Sequence, residues 1–351
     1  MTKAQLSMAF HWIYVFLAGG VILFFFIMIA SRQKVASEEQ LSVTLAQKLD
    51  AIFTGAAQTK QTFEVIELPP LDIYFYCEDD AASYAVGEKG SPRSVPIQPI
   101  FAPYKVHAEP RVNVWSVPFR MPFQVINMLM VDAPTITTFL VYDISDLASE
   151  RLLDVIQEDI PAQFNFVPIT KEELYAQSSL STPQVRLIFL TEIGYEREKL
   201  PPFVLGKDPR NVHIVQIEHE RAVTYYTMDG NDALSTGTIT VIQGFEEHHS
   251  LYAALFSNDA ASYRCNMRKV FERLIILAEM YEQRANDLKQ RYRAVGNQLC
   301  ELQINPKFAE LKEQATLCRD ELSTCLAEIY TTAQSIQRNN AFVQQQCAVL
   351  Y

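Results

Sequence analysis

Apolar residues recur with a seven-residue period through the last quarter of the chain. From Met267, alternating steps of four and three residues reach Phe271, Leu274, Ala278, Tyr281, Ala285, Leu288, Tyr292, Val295, Leu299 and Leu302, and every one is apolar. Arg268, Lys269, Glu272, Glu282, Arg284, Asp287, Lys289 and Arg291 fall between them. A seam kept this long predicts an extended helix with one partnered face. It stops at Asn305-Pro306, a good N-cap followed by a residue suited to the first helical position. A second seam then runs Phe308, Leu311, Ala315, Cys318, Leu322, Cys325, Ile329, Thr332, Ile336, Asn339 and Val343, weakening toward its end. Two such helices with a short link predict an antiparallel helical hairpin, a coiled coil over 259–351. At about 1.5 Å per residue it makes a stalk about 60 Å long.

A second apolar stretch lies at the N-terminus. Between Ala4 and Ala30 there is no Asp, Glu, Lys or Arg and one histidine, His11, and Trp12 and Tyr14 sit near one end. Residues 9–30 make about 33 Å of helix, enough to span a bilayer, with the aromatics as an interfacial belt. The pattern predicts a short tail over 1–8 and a single transmembrane helix over 9–30. Leu41, Leu45, Leu49, Ile52 and Phe53 then share one face, and Gly55 is a natural stop. This predicts a juxtamembrane helix over 31–55 that packs on the soluble body.

Between these ends the pattern changes twice. Residues 56–136 read as a Pro-rich β segment. Phe63–Ile66, Leu71–Cys77 and Arg111–Val117 are strand-like, and nine of the 17 prolines lie between Pro69 and Pro122. Residues 137–258 read as an α/β domain. Strands are expected at Thr138–Tyr142, Phe164–Val167, Val185–Leu190, Val212–Ile217 and Thr238–Ile242. A helix capped by Ser145 or Asp146 presents Leu152, Leu153, Ile156 and Ile160, and Thr170-Lys-Glu-Glu173 is a capping box. Continuous apolar strands between helices indicate a sheet covered on both faces. The fold class is thus multi-domain α+β and α/β, between an N-terminal membrane helix and a C-terminal hairpin.

Charge sharpens the picture. The net charge is −11, and residues 56–258 hold 14 basic and 27 acidic residues, against 12 and 11 from Asp259 onward. So acidic a middle repels phosphate backbones, and no basic patch with interleaved aromatics occurs, so nucleic acid is not an expected partner. Lys3 against Arg32 and Lys34 leaves the positive-inside rule close to a tie. Six cysteines, an even number, favour an oxidising compartment, so the bulk of the chain is expected on the extracytoplasmic side.

Candidate chemistry is sparse. Asp143-Ile-Ser145 follows a strand at the end where open α/β sheets bind ligands, which makes Asp143 and Ser145 the candidate ligand-site residues. An Asp-x-Ser-x-Ser loop there would resemble the cation site of von Willebrand A domains, but Leu147 replaces the second serine, and helix capping is the better reading. His213, His219, His248 and His249 lie near Glu218, Glu220, Glu246 and Glu247, without His-Glu-x-x-His spacing. No Gly-x-Ser-x-Gly, Gly-x-Gly-x-x-Gly, Walker or Cys-x-x-Cys motif is present. No metal, cofactor or catalytic residue is expected.

Lys3-Ala4-Gln5-Leu6-Ser7-Met8 before an apolar helix resembles the class III signal of archaeal pilin-like proteins, with Met8 where a glutamate usually sits. His11-Trp12-Ile13-Tyr14-Val15, Tyr76-Cys77 and Tyr263-Arg264-Cys265-Asn266-Met267 resemble uncharacterised single-pass archaeal membrane proteins, a resemblance that implies no known activity. Cys265 and Cys347 stand at nearly equal height at the base of the expected hairpin, which predicts a disulfide between them; Cys77 with Cys265 is the rival pairing. Together these features point to a membrane-anchored, non-catalytic interaction or scaffold protein that self-associates or meets a protein partner through the hairpin. A pilin-like assembly subunit and an anchored ligand-binding or enzymatic α/β domain are the alternatives.

Overall fold

The computed structural model describes residues 3–58, 62–78, 81–88, 90–95, 97–190, 200–218, 222–229, 232–241, 248–304 and 306–351. The chain opens with α1 (Lys3–Gln58), then β1 (Phe63–Glu67), β2 (Leu71–Glu78), β3 (Ala81–Val86), β4 (Arg93–Ser94), β5 (Ile100–Phe101), β6 (Lys105–Ala108), β7 (Arg111–Arg120), β8 (Gln124–Asp132) and β9 (Ile136–Tyr142). Helices and strands then alternate: α2 (Leu147–Asp159), β10 (Phe166–Thr170), α3 (Lys171–Ala176), β11 (Gln184–Phe189), α4 (Pro202–Leu205), β12 (Val212–Glu218), β13 (Ala222–Asp229) and β14 (Asp232–Thr240). Five helices close the chain: α5 (His249–Phe256), α6 (Ala260–Ala294), α7 (Gln298–Gln303), α8 (Phe308–Asp320) and α9 (Leu322–Val343).

A four-stranded sheet, order β1-β7-β8-β5, forms the middle layer. Successive residues of β7 and β8 feed opposite cores, as the two-residue period of a strand requires. Trp115, Val117, Met128 and Met130 face one core with α5 and α6, while Val112, Val114, Leu129 and Val131 face another with α1. The polar residues of β7 are therefore buried and bonded rather than solvated. Asn113 Nδ2 donates to the Gln163 carbonyl, and Ser116 Oγ donates to that of Ala56. An antiparallel sheet, β4-β3-β2-β6, completes the α1 side.

The third sheet has the order β10-β9-β11-β12-β13-β14. Its first four strands run parallel, β13 pairs antiparallel with β12, and β14 pairs antiparallel with β13. Leu140, Ile188 and Val215 face the core shared with α2, α5 and α6, and Phe139, Leu187 and Ile214 face Leu174, Phe203 and Val204 of α3 and α4. Both faces are covered, as continuous apolar strands require. The capping box forms in full, with Thr170 Oγ1 accepting from the Glu173 amide and Glu173 Oε2 from that of Thr170.

The C-terminal region is helical, but it is a three-helix bundle and not a two-helix hairpin. The heptad helix stops at Ala294, short of Asn305-Pro306. Gly296 takes φ +71 there, and the Asn297 and Gly296 amides donate to the Tyr292 and Arg293 carbonyls. That double bond is the glycine-centred stop of a helix C-terminus. Val295, Leu299 and Leu302, the last members of the seam, lie beyond it and are exposed. The second seam breaks at Glu321, whose backbone is extended, and α9 folds back along α8, with Thr332 Oγ1 donating to Glu310. α8 is antiparallel to α6, with Lys312 beside Glu279. Met267, Phe271, Leu274, Phe308, Leu311, Ile329 and Ile336 share one core with the body, so the bundle is not a free stalk.

The second fold-back also overturns the expected Cys265–Cys347 bridge. It carries α9 back toward the C-terminal end of α6, where the Tyr292 hydroxyl accepts from the Ala348 amide. Cys347 there pairs with Cys300, while Cys265, near the start of α6, pairs with Cys77 of β2. Cys318 and Cys325 are bridged to each other across the Glu321 turn rather than serving as small apolar seam residues.

At the N-terminus the backbone is helical without interruption for 56 residues, through Gly55 to Gln58, so no separate juxtamembrane helix exists. Among the described residues no helix is long and apolar enough to cross a membrane, so the expected transmembrane helix over 9–30 is not carried by them. They do carry an apolar stretch over 16–29 in which every side chain is exposed. Farther along, Leu45, Ala46, Leu49, Phe53 and Ala56 are buried against the middle layer. Tyr84 lies 2.7 Å from the Ala46 carbonyl and 2.6 Å from Asp50, which pairs with Arg93 at 3.1 Å.

Candidate functional site

The strand order reverses at β9, between β10 and β11, and Asp143 follows the carboxyl end of β9 at that switch point. Such a crevice is the usual ligand position in an open α/β sheet. Asp143 Oδ1 accepts from the amide and the hydroxyl of Ser145, at 2.8 and 2.7 Å, and these bonds hold its carboxyl below the usual range. The Asp143 amide donates to Ser149 Oγ, and Asp146 caps α2 by accepting from the Ala148 amide. Asp143 and Ser145 thus spend their polar groups on the turn that starts α2. Residues 191–199, which follow β11 on the other side of the switch point, lie outside the described residues.

The third sheet holds a second cluster, on its face toward α5 and α6. Strand register places Thr138, Arg186 and His213 side by side on β9, β11 and β12. All three are buried, and Thr138 Oγ1, Arg186 Nε and Nη1, and His213 Nε2 make no hydrogen bond. Arg186 Nη1 lies 3.7 Å from Asp132 of β8, Nη2 donates at 3.4 Å to the Phe256 carbonyl, and the guanidinium sits over the Phe256 ring. Tyr225 donates to the Ala254 carbonyl, and the buried Tyr263 hydroxyl is unpartnered. Burial pushes the Asp132 carboxyl up to about 6 against the pull of Arg186. Burial, and then Arg186, hold the His213 imidazole down to about 3, so it is neutral. His213, at the end of the row, borders a cavity of about 220 Å³ lined also by Tyr104, Arg210, Tyr226 and Asn258, and the buried Arg186–Asp132 pair ties β8 to β11. Its sequence signal was the lone arginine inside the apolar run Val185–Leu190. Asp132 and Tyr263 had none.

The remaining candidates do not converge. His249 donates through Nδ1 to the Pro118 carbonyl, and His213 lies in the buried row. His219, Glu220, Glu246 and Glu247 lie outside the described residues. Among the described residues no three His, Cys, Asp or Glu side chains gather as a metal site. A groove of about 770 Å³ lies between β14, α6 and the α8–α9 turn, lined by Cys77, Thr238, Arg264, Arg268 and Arg319. Asp320 takes two bonds from Arg319, and with Glu321 also in the lining the three arginines face two carboxylates, a surplus of one positive charge. On α6, Lys269 is buried and donates to the Val95 and Gln98 carbonyls, while Asn266 accepts from the Ile100 amide. With the Cys77–Cys265 bridge these bonds pin the start of α6 to the β2–β5 region.

Comparison of this chain with protein-family models, with curated proteins and with solved structures found no match to any of them.

Proposed function

We propose that this chain is a membrane-anchored, non-catalytic interaction protein that holds out an α/β body and a helical bundle. The observation that carries this reading is the division of α1. Residues 16–29 are wholly apolar and exposed, while Leu45, Leu49 and Phe53 on the same helix are walled into the body. A contiguous apolar surface of that extent marks a membrane or protein contact, and a helix lets it enter lipid with its backbone bonds satisfied. The pairing of all six cysteines supports an oxidising, extracytoplasmic location for the body. The most displaced carboxylate among the described residues, Asp132, is buried against Arg186, which supports interaction over catalysis. The second reading, a ligand-binding α/β domain, draws on the place of Asp143 at the switch point.

The test is alkaline extraction of membranes from cells expressing the full chain, followed by external protease. The full chain should stay in the pellet and its body should be cut from outside. A variant lacking residues 1–42 should be released. Release of the full chain by the alkaline wash would overturn the anchor.

A further inference from the structure

We infer that the outward face of α6 is a self-association surface for a second copy of this chain, in antiparallel two-fold register with Arg284 opposite Asp287. This deepens the interaction reading by naming the partner, and it rests on that reading. One side of α6 is spent on the bundle core through Phe271, Leu274, Ala278 and Ala285. Nearly half a turn away, Ile276 and Met280 are 51% and 58% exposed. Below them Met280, Gln283, Arg284, Asp287, Leu288 and Arg291 bound a groove of about 420 Å³. Their spacing makes two successive sets of i, i+3, i+4 and i+7. Each set is the four-residue hole that receives one side chain from a facing helix.

Charge selects the occupant. Asp287 sits between Arg284 and Arg291 on this face and, among the described residues, forms no salt bridge. A parallel copy in register would set Asp287 against Asp287 and Arg284 against Arg284. A two-fold axis midway between residues 285 and 286 instead sets Arg284 level with Asp287 twice over. The same operation brings Ile276 level with Val295, which is 77% exposed, and Met280 level with Arg291. One patch is then complementary to itself, as a closed two-fold contact requires. The contact spans about 30 Å of helix, short of a standard interface, so it is weak in solution.

The test is sedimentation velocity of the full chain in detergent, with charge exchange across the axis. Wild type should form a dimer. D287R should weaken it about tenfold or more, because it sets four cations around the axis. R284D should weaken it similarly, and R284D/D287R should restore the dimer. D287R is the cleaner single variant, since Arg284 also donates to the Val349 carbonyl. The altered side chains are exposed, so thermal melts should match wild type. A monomeric wild type at about 100 μM, or failure of the double variant to restore association, overturns the inference. If a different protein copurifies with wild type and is lost in D287R, self-association falls while the interaction reading stands.

Discussion

At the residue scale the largest electrostatic stake is Arg186, fully buried with Asp132 as its only charged neighbour at 3.7 Å among the described residues. Removing one member of a buried pair typically costs about 3–5 kcal/mol, because the other charge stays buried alone. R186M should therefore lower stability by about that much at pH 8, read by urea titration. Its deficit should shrink toward pH 5. The folded-state pKa of Asp132 is already raised to about 6 and rises further without the guanidinium. A raised carboxylate binds more protons in the folded state, so its contribution is present in acid and is lost as pH climbs through the folded value. A deficit that is flat between pH 5 and 8 would show that the carboxylate is not the source. In the sequence Arg186 was visible as an anomaly in an apolar strand, whereas its partner was not. Asp132 ends the strand Gln124–Asp132, which follows Pro118 and Pro122 and whose apolar run shows no clean alternation, so no local pattern marks it.

At the scale of elements, regular patterns were legible and breaks were not. The strands around Phe139, Leu187 and Ile214, the capping box at Thr170 and the buried face of Leu45, Leu49 and Phe53 follow from periodicity and cap chemistry. The helix stop at Gly296 was written in the chain, but a heptad seam continuing through Val295, Leu299 and Leu302 masked it. The break at Glu321 has neither glycine nor proline. It is set by tertiary packing, with Cys318 and Cys325 bridged across it, which no local propensity records. The same contrast fixes where the body begins. A fragment starting at residue 59 lacks Leu45, Leu49 and Phe53 and leaves one face of the middle layer bare. It should bind a hydrophobic dye and melt broadly, while a fragment starting at residue 43 should melt cooperatively. L49A in the full chain should cost about 2–5 kcal/mol. Equal melting of the two fragments would remove the C-terminal half of α1 from the core.

At the scale of the whole molecule, three disulfides divide the covalent restraint unevenly. The bridges close separations of 188, 47 and 7 residues. In the chain-entropy model their upper contributions are roughly 5, 4 and 2 kcal/mol in that order. Paired Cys→Ala variants, melted separately, should follow that ranking, with Cys77–Cys265 the most costly to lose. A larger loss from Cys318–Cys325 would mean that the turn at Glu321 governs bundle stability more than chain connectivity does. The pairing itself could not be read from even spacing along an imagined hairpin, since it depends on a fold-back that reverses which end of the bundle Cys347 reaches. What was legible at this scale was the order of regions, from an apolar N-terminus through mixed α and β structure to helices. One further property follows from α1. Its backbone stays helical from the exposed apolar stretch to the residues locked under the sheet, about 84 Å of rod without a joint. A rod of that kind behaves as a lever arm. With no break between its two ends, any turning of the apolar end across the rod carries Phe53, and the Ala46 and Asp50 groups that hold Tyr84, through the same angle.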